Sequence, residues 1–323
     1  MRKWFNRILG LPLVVKTTDV MKRFYPWGFE GLSLYAVMKF FIEGVQKGAI
    51  STRAAAISFK LFLAIFPMLI VLVMIIPYVP IDNFKVFLLE SLRLYFPGDS
   101  LAWILQALKQ LFFHEQGSLL SFAFVLVLYS ASNSVNSILQ GFNGSYNIEK
   151  RGNVFVVRFA SVVLMLILSF LMALAVALIL FSGKVFGYLL EKDILTSQGL
   201  VYLLEIVRWI ITVLLIYSTV SILYNAGDMR RKGWKIFSAG ASFATLFFLI
   251  SSVGFAWFVT DVVNFTKAYA SLGSIMVLLI WMNFVSTILL LGFELNVSIH
   301  RAKRSHKAEL LLSEEEDQAI GAF

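Results

Sequence analysis

The run SASNSVNSILQGFNGSYN, Ser130 to Asn147, gathers hydrogen-bonding side chains inside an otherwise apolar stretch. At about 100° per residue, Ser130, Asn133, Ser134, Ser137, Gln140 and Gly141 share one helix face. Ser132, Asn136 and Asn143 fall beside it, and Ala131, Val135, Ile138, Leu139 and Phe142 make the remaining apolar strip. Neutral amides and hydroxyls are not nucleophiles without a nearby base. Their chemistry here is hydrogen bonding, either to a polar group passing along the helix or to neighbouring helices. A weaker version recurs near the C-terminus, where Asn283, Ser286, Thr287 and Glu294 lie within about 100° of arc. A carboxylate in such a place is a functional candidate, or a hydrogen-bonded helix end near Arg301.

Other chemistry is missing from the chain. It has no cysteine, so thiolate metal sites, disulfides and cysteine nucleophiles are excluded. The histidines, His114, His300 and His306, form no H-E-x-x-H pair. There is no G-x-S-x-G elbow and no phosphate-binding G-x-x-x-x-G-K-[ST] loop. No catalytic residue, metal or cofactor is expected, and the chain is not read as an enzyme.

The elements that must position these groups follow from composition. Hydrophobic residues make up 59% of the 323 and charged residues only 15%, against about 25% charged in soluble domains. A bilayer solves the burial problem that a single soluble core could not. Six stretches are long and apolar enough to span one: Ile57 to Ile76, Leu119 to Leu139, Val156 to Phe181, Leu203 to Tyr224, Phe237 to Val259 and Leu272 to Leu291. The expected fold is therefore an all-α membrane protein, a bundle of about six transmembrane helices with amphipathic interfacial helices. The polar run lies in the inner half of the second span. Unpaired amides facing lipid cost several kcal/mol each, so this half is expected to face other helices or a polar cavity, unless the helix leaves the membrane near Gln140. A polar lining is assigned to Ser130, Asn133, Asn136, Ser137, Gln140, Asn143, Asn283, Thr287 and Glu294.

Twenty Lys and Arg fall before the first span, in alternate connections and in the tail, against six in the opposite connections. The asymmetry predicts both termini in the cytoplasm. It also explains the net charge of +9 without nucleic acid. The expected division is a basic interfacial segment over 1–53, a six-helix transmembrane domain over 54–300, and a charged tail over 301–323. Trp4, Phe5, Ile8 and Leu9, with Arg2, Lys3 and Arg7, suit an interfacial anchor touching anionic headgroups, with a frayed tail as the alternative. Pro97 to Ser100, followed by an apolar stripe from Leu101 to Phe112, predicts short amphipathic helices between the first two spans. Lys60 and Arg158, early in their spans, are expected to reach toward the headgroups, and Pro67 to kink the first span.

With these residues on the page, the chain resembles the YihY/virulence factor BrkB family, also labelled ribonuclease BN. The first span, STRAAAISFKLFLAIFP, is similar to that family's small-residue entry and Phe-Pro step at Pro67. The second, LYSASNSVNSILQGFNGSYNIEKRG, resembles its polar helix, with Asn143, Tyr146 and a shifted Arg151. The last is similar to its closing motif through Tyr269, Gly273, Trp281, Gly292, Glu294 and Asn296. Lys60 and Asn225-Ala226-Gly227 depart from the pattern, since relatives often carry an aromatic or apolar residue and a proline there. The resemblance covers roughly residues 40 to 300 and implies a six-helix protein of the inner membrane.

The expected function is a transporter or translocator of a lipid-like or other amphipathic substrate, without its own ATPase. The alternative is a non-catalytic membrane scaffold or envelope-maintenance factor. An enzyme, including the ribonuclease of the older label, ranks last. The expected partners are membrane lipids, and no nucleic acid.

Overall fold

The computed structural model describes residues 20–26, 28–75, 117–145, 154–191, 198–227, 234–263 and 270–321. The N-terminal anchor, the helices expected between the first two spans, and Tyr146, Arg151 and Tyr269 lie outside them. The long helices are α1 (Leu34–Lys47), α2 (Ile50–Ile75), α3 (Gly117–Asn143), α4 (Val154–Glu191), α5 (Gln198–Gly227), α6 (Ala239–Val263) and α7 (Ala270–Gly321). Six of them, α2 to α7, are long and apolar enough to cross a membrane, as the sequence predicts.

α1 is set by its ends. The Ser33 hydroxyl caps it by accepting from the Ala36 amide at 3.3 Å. It stops at Gly48, whose amide donates to the Gly44 carbonyl at 2.8 Å. Ala49 then turns into the left-handed region at φ 46° and α2 begins at Ile50. The buried face of α1, with Val37 fully covered, packs on Leu295, Ile299 and Ala302 of α7. α2 therefore starts seven residues before the expected apolar run, which places Arg53 within its first turn.

α2 packs against α3 and α7, α3 against α4, α4 against α5, α5 against α6, and α6 against α7. One core joins them, built from Ile57, Leu139, Phe142, Leu223, Ala241, Leu290 and Phe293. Small residues set the closest approach. A Cβ on Gly240 would fall on the Gly292 carbonyl, and one on Gly292 would fall on the Tyr224 hydroxyl, so α6 and α7 meet backbone to backbone. The Tyr224 hydroxyl donates to the Leu289 carbonyl at 2.8 Å, which ties α5 to the same point.

The sequence departure at Asn225 has a structural use. Its amide donates to the Ser221 and Lys235 carbonyls at 2.8 and 2.9 Å and accepts from the Lys235 amide at 3.0 Å. These bonds close the end of the α5–α6 connection that a proline side chain could not bond. Asn296 finishes the job from α7, accepting from the Gly240 amide at 2.8 Å and donating to Ser238 at 3.1 Å. Glu30 then bridges Lys235 and Lys303, linking the segment before α1 to α6 and α7. Burial, then the like charge of Lys303, holds the Lys235 ammonium below the usual lysine range.

The charged tail is continuous with the last span. α7 runs 52 residues without interruption, about 78 Å at 1.5 Å per residue. Its last turns expose Leu310, Leu311 and Leu312.

Candidate functional site

α3 carries three different faces. Toward α2, the buried Ser134 hydroxyl reaches the Lys60 carbonyl, or Ser130's own, at 2.9 Å. Gly141, two turns on, admits Ile57; a Cβ there would stand 2.7 Å from the Ile57 Cδ1. Toward the core lie Val135, Ile138, Leu139 and Phe142, all buried, the strip marked apolar in the sequence. Ser137 is buried as well and donates to the Asn133 carbonyl at 2.8 Å.

The third face points out of the bundle. Phe122, Val125 and Tyr129 are 64%, 61% and 60% exposed. Asn133, Asn136 and Gln140 continue the same angular sector, the first two half-buried and Gln140 exposed. Ser130 and Asn143, half-buried, flank it. The Oδ1 of Asn136 is covered and has no hydrogen-bond partner. The outer part of this face is apolar and suits lipid, while the inner part is a ladder of amides.

Two cations border that ladder. Arg53 of α2 donates from Nη1 to the Gly141 carbonyl at 2.6 Å, so its direction is the α3 side of α2. Lys60 is seven residues later, nearly in line with it, and is half-buried. It thus stands beside Ser130, Asn133 and Ser134, about 10 Å of helix rise beyond the Arg53 layer. On the other flank, the Arg158 guanidinium of α4 lies over the Tyr129 ring, 4.8 Å from its centre. Together α2, α3 and α4 form a furrow with amides on its floor and one cation on each rim. No Asp or Glu occurs in α2 or α3, and the first in α4 is Glu191, its last residue. A lone cation at the centre of a span costs about 2.5–3.5 kcal/mol on insertion scales. Lys60 lies midway along Ile50–Met68, while Arg158 opens its own span, so an anion beside Lys60 would stabilise the fold.

The opposite side of α3 borders a cavity of about 480 Å³. Leu61, Val135, Met165, Phe248, Trp281 and Val285 contribute to its walls, and Ser134 and Ser169 are its only hydroxyls. Its lining includes none of Ser130, Asn133, Asn136, Ser137, Gln140 or Asn143. The arrangement differs from a polar-lined interior: the apolar strip packs inward and the amides lie on the outer flank. Such walls hold hydrocarbon rather than water. At the Arg53 end the core closes tightly, with Phe142 and Phe293 stacked at 4.2 Å and Tyr224 edge-on to Phe142 at 5.5 Å. Trp281, one of the motif positions, stacks on Phe255 at 4.4 Å.

The α7 polar positions separate. Asn283 lines a different groove, about 390 Å³, with Ser58 and Phe284 between α2 and α7. Thr287 spends its hydroxyl on the Asn283 carbonyl at 2.8 Å. Glu294 is 1% exposed, and its Oε1 has no hydrogen-bond partner. It lies under α1, where a Cβ on Gly44 would fall on its carboxylate. One turn along α1, a Cβ on Gly48 would stand 2.6 Å from Arg53 Nη2. Arg53 Nε and Nη2, the bidentate edge of the guanidinium, have no partner either. Two buried opposite charges thus face the glycine side of α1, about one helical turn apart. The sequence flagged Glu294 but not Arg53; the signal available was the Gly44–Gly48 spacing just before the first span.

Residues 41–316 match the family model described as Virulence factor BrkB. The chain is 28% identical over 253 residues to the ribonuclease-like protein YfkH of Bacillus subtilis (strain 168), covering 78% of this chain and 91% of that relative. It is 25% identical over 177 residues to a UPF0761 membrane protein of Glaesserella parasuis serovar 5 (strain SH0165). That match spans 52% of this chain and 55% of that one. No solved structure matches the chain. With the family model running from α1 into the far part of α7 and six helices fit to cross a bilayer, this chain is a multi-pass membrane protein of the virulence factor BrkB family.

Proposed function

We propose that this protein translocates an amphipathic, lipid-like substrate across the inner membrane, without an ATPase of its own and with both termini in the cytoplasm. The polar part of the substrate moves along the α3 furrow while its hydrocarbon stays in the bilayer. The observation that carries this reading is the outward amide ladder Asn133, Asn136 and Gln140, bordered by Lys60 and Arg158. Amides and cations at a span surface are costly against hydrocarbon. A passing headgroup removes that cost and is itself spared the full cost of entering lipid. The apolar cavity behind α3 supports the same substrate class, since it suits a hydrocarbon chain and not an ion.

The test is transbilayer movement of a fluorescent phospholipid in vesicles reconstituted with the purified chain. Protein-dependent movement is expected; equal rates in protein-free vesicles contradict the proposal. A non-catalytic scaffold is the second reading, favoured by the Glu30 bridges and the long exposed end of α7. It predicts no movement of lipid. The ribonuclease-like name of the Bacillus relative is not carried over to this chain. Purified protein is expected to leave RNA intact with added divalent metal, and cleavage abolished by a point change in this chain would overturn that.

A further inference from the structure

We infer that Lys60 and Arg158 form a seat for the phosphate group of a phospholipid, midway along the α3 furrow. The inference rests on the translocation reading and names the headgroup chemistry the furrow accepts. Charge selects the ligand first. Arg53, Lys60 and Arg158 are the only charged residues of α2, α3 and the first three-quarters of α4, where no acid occurs. Lys60 is half-buried and makes no ion pair among the described residues. The Arg158 guanidinium carbon lies over the Tyr129 ring, 4.8 Å from its centre, and a cation–π contact of this kind uses up no acceptor, so N–H donors remain to meet an oxyanion.

Position selects it next. The Ser134 hydroxyl touches the Lys60 carbonyl at 2.9 Å, and Tyr129 lies just over one helical turn from Ser134. The two cations therefore flank the same short stretch of α3, with Asn133 between them as a neutral donor. Lys60 is ten residues into α2, about 15 Å along its axis, deep within the span Ile50–Met68. A free soluble anion would have to leave water entirely to reach it. A lipid phosphate arrives with its own hydrocarbon already in the bilayer, so the phospholipid is the occupant that fits both the charge and the depth.

The experiment measures lipid retention by the full chain in mild detergent, using native mass spectrometry with dioleoylphosphatidylglycerol, dioleoylphosphatidylcholine and dioleoylglycerol. Wild type is expected to retain both phospholipids and to release the phosphate-free diacylglycerol. Lys60→Gln, which keeps a polar side chain of similar bulk at this half-buried position, is expected to lower phospholipid retention at least threefold. Lys60→Gln with Arg158→Gln should lower it at least tenfold, and Lys60→Arg should restore it. Phospholipid retention within twofold of wild type in the double variant, or equal retention of diacylglycerol, overturns the seat. The vesicle assay separates this from the translocation reading. Lipid movement unaffected by Lys60→Gln would sink the seat alone. Phosphate-dependent retention through Lys60, without movement, would leave the seat and sink translocation.

Discussion

At the scale of single residues, the clearest constraints are glycines that admit charge. Gly44 and Gly48 leave room on α1 for the Glu294 carboxylate and the Arg53 guanidinium. Gly44→Ala is expected to destabilise the protein by about 1–3 kcal/mol, because the added methyl overlaps a buried group that cannot retreat into water. Gly254, also helical, has nothing within 4 Å of a built Cβ. Gly254→Ala should be neutral or stabilising by up to about 1 kcal/mol. Thermal unfolding in detergent reads both, and equal midpoints for the two variants would contradict the packing described for α1. Glu294 was legible in the sequence because a carboxylate among Leu, Gly and Phe is conspicuous. Arg53 was not, because it reads as one more cation in a basic leader until α2 is seen to begin at Ile50. Glu43 illustrates the contrast at the surface: its bond and charge pairing with Lys47 holds its carboxyl below the usual range, yet solvent takes up most of the effect.

At the scale of elements, α3 accounts for most of what the protein presents. Its hydropathy pattern marked the apolar strip Val135, Ile138, Leu139 and Phe142, since a period of 3.6 residues fixes which side chains share a face. It also joined the buried Ser134, Ser137 and Gly141 to Asn133 and Gln140, which lie on the outer flank. The pattern carries no information on which sector meets the core. That was decided by neighbours distant in sequence: Ile57 at Gly141, the Lys60 carbonyl at Ser134, and Met165 and Trp281 around the cavity. The chain has no cysteine, so accessibility can be read position by position. A single cysteine at Gln140, near the inner end of α3, should react with a membrane-impermeant thiol reagent in vesicles, and one at Asn133 with a lipid-soluble reagent. Cysteines at Val135, Ser137, Ile138 and Phe142 should be protected. Labelling at Val135 or Ile138 equal to that at Gln140 would mean that α3 is rotated from the orientation described. α7 is the element whose extent was least legible. The sequence divides at residue 300 into apolar span and charged tail, but Ala, Lys, Glu and Leu after that point are all strong helix formers, and the helix simply continues.

At the scale of the whole molecule, the distribution of Lys and Arg and the even number of spans set the proposed topology. Tags at Met1 and Phe323 should both report the cytoplasm, and a tag after Lys192 the outside; a C-terminus on the outer side would break the six-span arrangement. The bundle offers the bilayer an apolar surface nearly everywhere, with Phe155, Phe170, Val253 and Trp257 exposed. The α3 furrow interrupts it with amides and two cations. Translocation along this furrow is measured by the rate at which a fluorescent phospholipid crosses vesicles containing wild type or the Asn133→Leu, Asn136→Leu, Gln140→Leu variant. Leucine suits a lipid-facing helix, so the variant should fold and insert. Movement is expected with wild type and a loss of at least tenfold in the variant; equal rates for the two proteins would rule out translocation along this face of α3.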